Sequence, residues 1–178
     1  SKFIPTVFEY FEGNNTAYIV MEYLDGENLN EYLKGHGGKI PIGFAVLIAN
    51  EMGNALSLLH SKGIVHRDVA PDNIFITSDD ELHSVLLDLG AAYLPDASHD
   101  VIDIILKPGY SPPEQYNSMD GVGVWSDIYA LGATLYVAIT GVKPDEASNR
   151  KIEDKVLPPN EIDPNIPENL SNTIMKAM

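Results

Sequence analysis

β-branched and aromatic residues fill two stretches at the start of the chain, Phe3 to Phe11 and Thr16 to Tyr23, and the turn cluster Glu12 to Asn15 separates them. This pattern predicts a β-hairpin. A lone hairpin is marginal in water, so the two strands are expected to belong to a larger sheet, as though the chain were cut on its N-terminal side. After Asp25-Gly26, the spacing of Leu29, Tyr32 and Leu33 predicts a short helix that Gly35, Gly37 and Gly38 stop. Pro41 then opens a long helix in which Phe44, Leu47, Ile48, Met52, Ala55, Leu56 and Leu59 recur at helical spacing, ended at Gly63.

From Ile64 to Asp88 the apolar runs shorten. Asn73 to Thr77 and Ser84 to Leu87 are expected as two short strands around the acidic turn Asp79 to Glu81. Ala91 to Tyr116 carries Pro95, Pro108, Pro112 and Pro113 without sustained periodicity, which predicts an irregular loop of the length that function usually requires. Val124 to Thr140 is apolar nearly all round and is expected as a central core helix. Pro144 and Pro158 to Pro167 read as loop, and Glu168 to Met178 as a helix with no stop signal. The order of elements implies an α+β fold, with strands first and a mainly helical body after them.

With 178 residues, 44% of them hydrophobic, the chain can bury one sizeable core and is expected to form one domain. The 26 acidic and 11 basic residues give a net charge of -15, which repels phosphate backbones and argues against a nucleic-acid partner. Without cysteine there is neither a disulfide framework nor a thiolate metal site, so a metal here would be held by oxygen or imidazole. No uninterrupted apolar run reaches membrane-spanning length, and Ser1 to Tyr10 lacks the pattern of a signal peptide. A cytosolic setting fits, with any membrane anchor lying outside these residues.

The candidate chemistry is concentrated in His66-Arg67-Asp68-Val69-Ala70-Pro71-Asp72-Asn73 and in Asp88-Leu89-Gly90, on either side of the two short strands. That layout resembles a protein kinase, in which a hydroxyl nucleophile needs a carboxylate to orient it and take its proton, and a triphosphate needs Mg²⁺ held by hard oxygen ligands. Asp68 suits the base, and Asn73 and Asp88 suit the metal. Tyr110-Ser111-Pro112-Pro113-Glu114 and Trp125-Ser126-Asp127 with Gly132 follow in order. This series resembles the protein kinase family: a catalytic loop, a metal-binding triplet, the end of the activation segment and the start of the central helix.

The resemblance runs along essentially the whole chain. It implies an incomplete protein kinase domain, with residues 1–24 ending the N-lobe and hinge as a remnant β-hairpin, and residues 25–178 forming a mainly helical C-lobe truncated at its far end. It further implies transfer of the γ-phosphoryl group of ATP, with Mg²⁺, to serine or threonine hydroxyls of a protein substrate. Met21 would be the gatekeeper, with the backbone of Glu22 and Leu24 facing the adenine and Phe75 beneath it. Glu27 matches a ribose-contacting position, or is a helix-start carboxylate. Met21 and Phe75 are expected in the core under either reading. Asp127 would hold the backbone of the catalytic loop, and His66 would pack beneath Leu89. Arg67 would receive a phosphate on the activation segment, where Ser98 and Ser111 are the serines, or would simply be solvated. The other histidines, His36, His60, His83 and His99, share no metal-ligand spacing and are expected on the surface or in packing.

The departures from the family pattern are equally specific. The Gly-rich loop, the phosphate-binding lysine and its glutamate partner would all precede residue 1, so this stretch is expected to be inactive alone. Glu114 would pair with an arginine beyond the last helix. Ala70 stands where serine/threonine kinases carry a lysine, and Lys107 stands where they carry a threonine. Lys107 is therefore a candidate catalytic residue, a lysine relocated to serve the transferring phosphate that the loop lysine neutralises in the family, or else a solvated loop residue. The phrase KPGYSPPEQY resembles bacterial members. Two alternatives stay open, a pseudokinase acting as a binding or scaffold module and a small-molecule kinase of the antibiotic-phosphotransferase type.

Overall fold

The computed structural model describes residues 2–79, 82–89, 91–92, 106–116 and 121–178. Strands β1 (Val7–Gly13) and β2 (Thr16–Met21) pair antiparallel around Asn14 and Asn15. Both asparagines have positive φ, 52° and 56°, which their short polar side chains tolerate better than most. The first strand begins later than composition suggests because Phe3 is engaged elsewhere: its carbonyl accepts from Leu86 N at 2.9 Å, tying the chain start to the body.

A second sheet has the order β3 (Gly26–Asn28), β4 (Ile74–Thr77), β5 (Ser84–Leu86). Strand β3 escapes sequence reading, since Gly-Glu-Asn carries no strand signal. Its pairing depends on glycine at 26, where φ is +144° and a Cβ would lie 2.1 Å from the Ile76 carbonyl oxygen. Helix α1 (Leu29–Gly35) follows, capped by Asn28, whose side chain accepts from Glu31 N at 2.9 Å. Glu27 is thus not the cap but sits in β3 opposite Ile76.

The body is built on α2 (Ile42–His60) and α3 (Val124–Thr140), both close to their expected limits. Ile48, Met52 and Leu56 of α2 join Leu29, Ile74, Leu86 and Tyr136 in one buried core. Burial of each large aliphatic side chain contributes about 1.5–3 kcal/mol. At 19 residues and a mean hydropathy of 1.5, α2 is long and apolar enough to cross a membrane, but here it packs against α3 and β5. Helix α3 is less enclosed than its composition suggests, with Val124, Trp125 and Ile128 at 42%, 59% and 43% exposed. Its Gly132 admits helix α6 (Glu168–Ala177): a Cβ there would lie 2.8 Å from Ala177 Cβ. A single-turn helix α4 (Ala147–Arg150) forms where the sequence reading named no element, and a single-turn helix α5 (Pro159–Ile162) and a 3₁₀ turn at Pro113–Tyr116 form within stretches read as loop. Ser98, His99, Gly90 and Glu81 lie outside the described residues.

Candidate active site

The site rests on Asp127, in the first turn of α3 and without exposed surface. Its Oδ1 accepts from Arg67 N at 2.8 Å, and its Oδ2 accepts from His66 N at 2.9 Å and from His60 Nε2 at 2.8 Å. These charge-assisted bonds hold Arg67 at φ +68°, a conformation that costs a residue with a Cβ about 1–2 kcal/mol. The loop-holding role that the resemblance implies for Asp127 is what the geometry displays. His60, expected to be an ordinary packing or surface residue, joins the same network.

The loop conformation presents Asp68. Asn73 Nδ2 donates to Asp68 Oδ2 at 2.7 Å and to the Asp68 carbonyl at 2.8 Å, fixing the carboxylate across the loop. His66 stands behind it, fully buried, with Nδ1 accepting from Asp68 N at 3.3 Å and Nε2 donating to the Leu87 carbonyl at 3.0 Å. One neutral imidazole tautomer satisfies both contacts. Burial pushes the His66 pKa below the usual histidine value, against the pull of Asp127, Asp68 and Asp88. His66 is therefore a strut, as expected, but its contact is the Leu87 carbonyl, and Leu89 is 43% exposed.

That strut also places Asp88. Leu87 N donates to the Asn73 carbonyl at 2.8 Å, so Asp88 emerges beside Asn73, with φ +61°. Asn73 commits its Nδ2 to Asp68, which leaves Oδ1 for a cation. Asn73 and Asp88 thus offer hard oxygen donors from adjacent backbone positions, which fits Mg²⁺ completed by phosphate oxygens and water. Among the described residues no three His, Asp or Glu side chains form a metal site by themselves.

Lys107 closes the site from the segment before α3. Its ammonium lies 2.8 Å from Asp68 Oδ1 and 2.9 and 3.0 Å from the two oxygens of Asp72. The bonds to Asp72 are aligned, whereas Asp68 Oδ1 meets the ammonium as an ion pair without an aligned hydrogen bond. Burial works against the lysine charge, but Asp68 and Asp72 outweigh it and hold the pKa above the usual lysine value. The backbone of Lys107 is fixed by a turn: its N–H donates to Ser111 Oγ at 2.8 Å, and its carbonyl accepts from Tyr110 N and Ser111 N at 2.9 Å. Gly109 makes that turn at φ +83°, where a Cβ would lie 2.9 Å from the Pro144 carbonyl oxygen. Tyr110 is pushed up to about 12 by burial and by Asp72. Ser111 is buried and bonded, unlike an exposed phosphate acceptor.

Arg67 is 6% exposed, with Nε donating to the Ala91 carbonyl and its own carbonyl accepting from Gln115 Nε2 at 3.0 Å. It is built into the loop rather than solvated. Glu114 accepts from Ser126 Oγ at 2.7 Å. Asp72, His60 and Gln115 are the site residues that sequence reading missed.

The nucleotide side is more open. Met21 is 46% exposed and Phe75 half-buried, so neither is a core residue; no further layer among the described residues covers the hairpin. Met21, Ile19, Val7, Leu86 and Asp88 line a cavity of about 200 Å³, below the ~300–1,000 Å³ of small-molecule sites. Glu22 N donates to the Thr6 carbonyl at 2.9 Å and the Glu22 side chain accepts from Thr6 N at 2.8 Å, which leaves the Glu22 carbonyl for a ligand. Leu24 is half-buried and Glu27 exposed.

Comparison with known proteins agrees with this geometry. A probable serine/threonine-protein kinase of Clostridium perfringens is 35% identical over 98% of this chain and 26% of its own length. The serine/threonine-protein kinase PknA of Mycobacterium tuberculosis is 34% identical over 96% of this chain and 41% of its own length. The chain therefore spans well under half the length of these curated relatives. A solved structure of PpkA-294 in its apo form superposes with a TM-score of 0.79 at 29% identity, covering 98% of this chain and 61% of that one. Residues 1–176 match the protein kinase domain family, and the chain belongs to it.

Proposed function

We propose that this chain carries the acid-base half of a serine/threonine protein kinase that transfers the γ-phosphoryl group of ATP to a protein hydroxyl. The observation that carries the reading is the Asp68 carboxylate, held by the Asn73 amide at 2.7 Å beside the oxygens of Asn73 and Asp88. As the substrate hydroxyl oxygen bonds to the γ-phosphorus, its proton passes to Asp68. The bond from that phosphorus to the bridging oxygen breaks, and its electron pair leaves on ADP. Mg²⁺ supplies neutralisation of phosphate charge, with Asn73 Oδ1 and the Asp88 carboxylate as its protein ligands. Met21, Phe75, Glu27 and the backbone of Glu22 and Leu24 border the nucleotide. The small cavity beside Asp88 supports weak nucleotide binding by these residues. The need for ATP favours a cytoplasmic setting for the domain.

Ala70, fully buried and uncharged where the family carries lysine, favours a second reading as a binding module without transfer. The test uses the full-length protein with labelled ATP and generic protein substrates. Phosphoserine or phosphothreonine is expected, and Asp68→Asn should lower kcat by about 10²–10⁴ with nucleotide affinity kept. Nucleotide binding without phosphate on protein, or an Asp68→Asn variant as fast as wild type, overturns the kinase reading.

A further inference from the structure

Phosphoryl transfer spreads negative charge over the equatorial oxygens of the moving group, and a site that accelerates it needs positive charge at that place. The side chains gathered around the candidate base are acidic or neutral: Asp68, Asp72, Asp88 and Asn73. Ala70 contributes no charge. Arg67, next to the base in sequence, is buried and donates from Nε to the Ala91 carbonyl. Lys107 is the cation that reaches Asp68, at 2.8 Å, and it comes from a different part of the chain.

Its setting is that of a positioned charge. The ammonium is clamped between Asp68 and Asp72, with both oxygens of Asp72 within 3.0 Å. The backbone that carries it is fixed by the Lys107–Ser111 turn and by the space that only Gly109 fits. An ammonium has three N–H donors and the stem of lysine is flexible, so the group can hold the carboxylates and still meet a phosphoryl oxygen.

We infer that Lys107 supplies, from the activation segment, the charge that stabilises the phosphoryl group in transit, and that Asp72 is the residue that positions it. The inference rests on the kinase reading above. Lys107 keeps its proton and only donates hydrogen bonds; the hydroxyl proton goes to Asp68 and the electron pair leaves with ADP.

The experiment uses the full-length protein and two readouts, steady-state kinetics and the affinity of ADP with and without aluminium fluoride, a mimic of the phosphoryl group in transit. Lys107→Ala should lower kcat by about 100- to 1,000-fold while KM for ATP stays near wild type, as for loss of one transition-state donor. The advantage of ADP with aluminium fluoride over ADP alone should fall by a similar factor. Ala70→Lys added to Lys107→Ala should recover part of both. Asp72→Asn should give a smaller loss that Asp72→Glu restores. Lys107→Met, which keeps the aliphatic stem, replaces Lys107→Ala should that variant unfold. An unchanged kcat overturns the inference, and so does a lowered kcat with the aluminium fluoride advantage intact, which would make Lys107 a structural clip. Asp68→Asn separates the two levels: if it abolishes transfer while Lys107→Ala does not, only this inference fails.

Discussion

Asp127, with no exposed surface beneath the catalytic loop, and Phe8, 67% exposed on the hairpin whose Val7, Ile19 and Met21 line the cleft, show how differently the two sides of that cleft are made. Beneath the cleft, both oxygens of a buried carboxylate accept from the backbone of the catalytic loop and from His60. Beside it, strands β1 and β2 hold their register through backbone pairing and one stacked pair, Phe11 and Tyr18, with ring centroids 5.1 Å apart. Their large apolar side chains, Phe8, Tyr10, Ile19 and Val20 among them, remain 39–67% exposed. The lower side has one solution for its polar groups. The upper side is specified by register alone, so chemistry that needs sub-ångström placement belongs to the lower side.

The largest effect expected from this contrast is at Asp127. Asp127→Ala leaves His66 N and Arg67 N buried without their acceptor and removes what holds Arg67 at positive φ, which should destabilise the protein by about 3–5 kcal/mol. Asp127→Asn keeps one acceptor oxygen and should lose less. Urea unfolding measures both, and an Asp127→Ala midpoint equal to wild type would break the comparison.

The same contrast explains which parts were legible in the sequence. Helices α2 and α3 were, because Ile48, Met52 and Leu56 recur at helical spacing and Val124 to Thr140 is almost uniformly apolar. The residues Asp68, Asn73 and Asp88 were legible as a motif with matching chemistry, and the structure gathers them. Strand β3 was not, because Gly26, Glu27 and Asn28 have no strand propensity and pair only when β4 is beside them. Helices α4 and α5 are single turns, too short for periodicity. The contacts of His60 with Asp127 and of Lys107 with Asp72 join positions 67 and 35 residues apart, which no local pattern encodes. Lys107 stood out only as a departure from the family pattern, and Asp72 not at all. Met21 was expected in the core because an adenine pocket is itself a piece of core, yet it is 46% exposed on the open side of the hairpin.

A second effect tests the packing that carries Asp127. Gly132→Val puts a branched side chain where a Cβ alone would lie 2.8 Å from Ala177 Cβ, and it should cost about 1–3 kcal/mol by forcing α6 from α3. A third uses pH. Burial holds the His66 pKa below its unfolded value, so between the two values the unfolded chain binds more protons than the folded one. Stability should therefore rise with pH through that window and fall as pH drops below the ordinary histidine value. Comparing urea midpoints of wild type and His66→Gln at pH 7.5 and 5.5 isolates this contribution; an equal pH dependence in both would show that His66 is not its source.

The smallest effect belongs to the hairpin, and its smallness is what sharpens the comparison. Phe8 stands at the irregularity between Val7 and Glu9, 67% exposed, and Val20 opposite Glu9 is 41% exposed, so replacing them removes little buried contact. Threonine is itself β-branched, a shape that strands favour. Phe8→Thr and Val20→Thr should each change folding stability by less than about 0.5 kcal/mol. Contiguous exposed apolar surface on a two-stranded sheet with open edges also favours association. The same substitutions should therefore lower the self-association of the 178-residue chain, measured by sedimentation over a concentration series. A loss of stability comparable to that at Gly132 would show instead that the hairpin is packed as tightly as the loop, and the two sides of the cleft would no longer differ in kind.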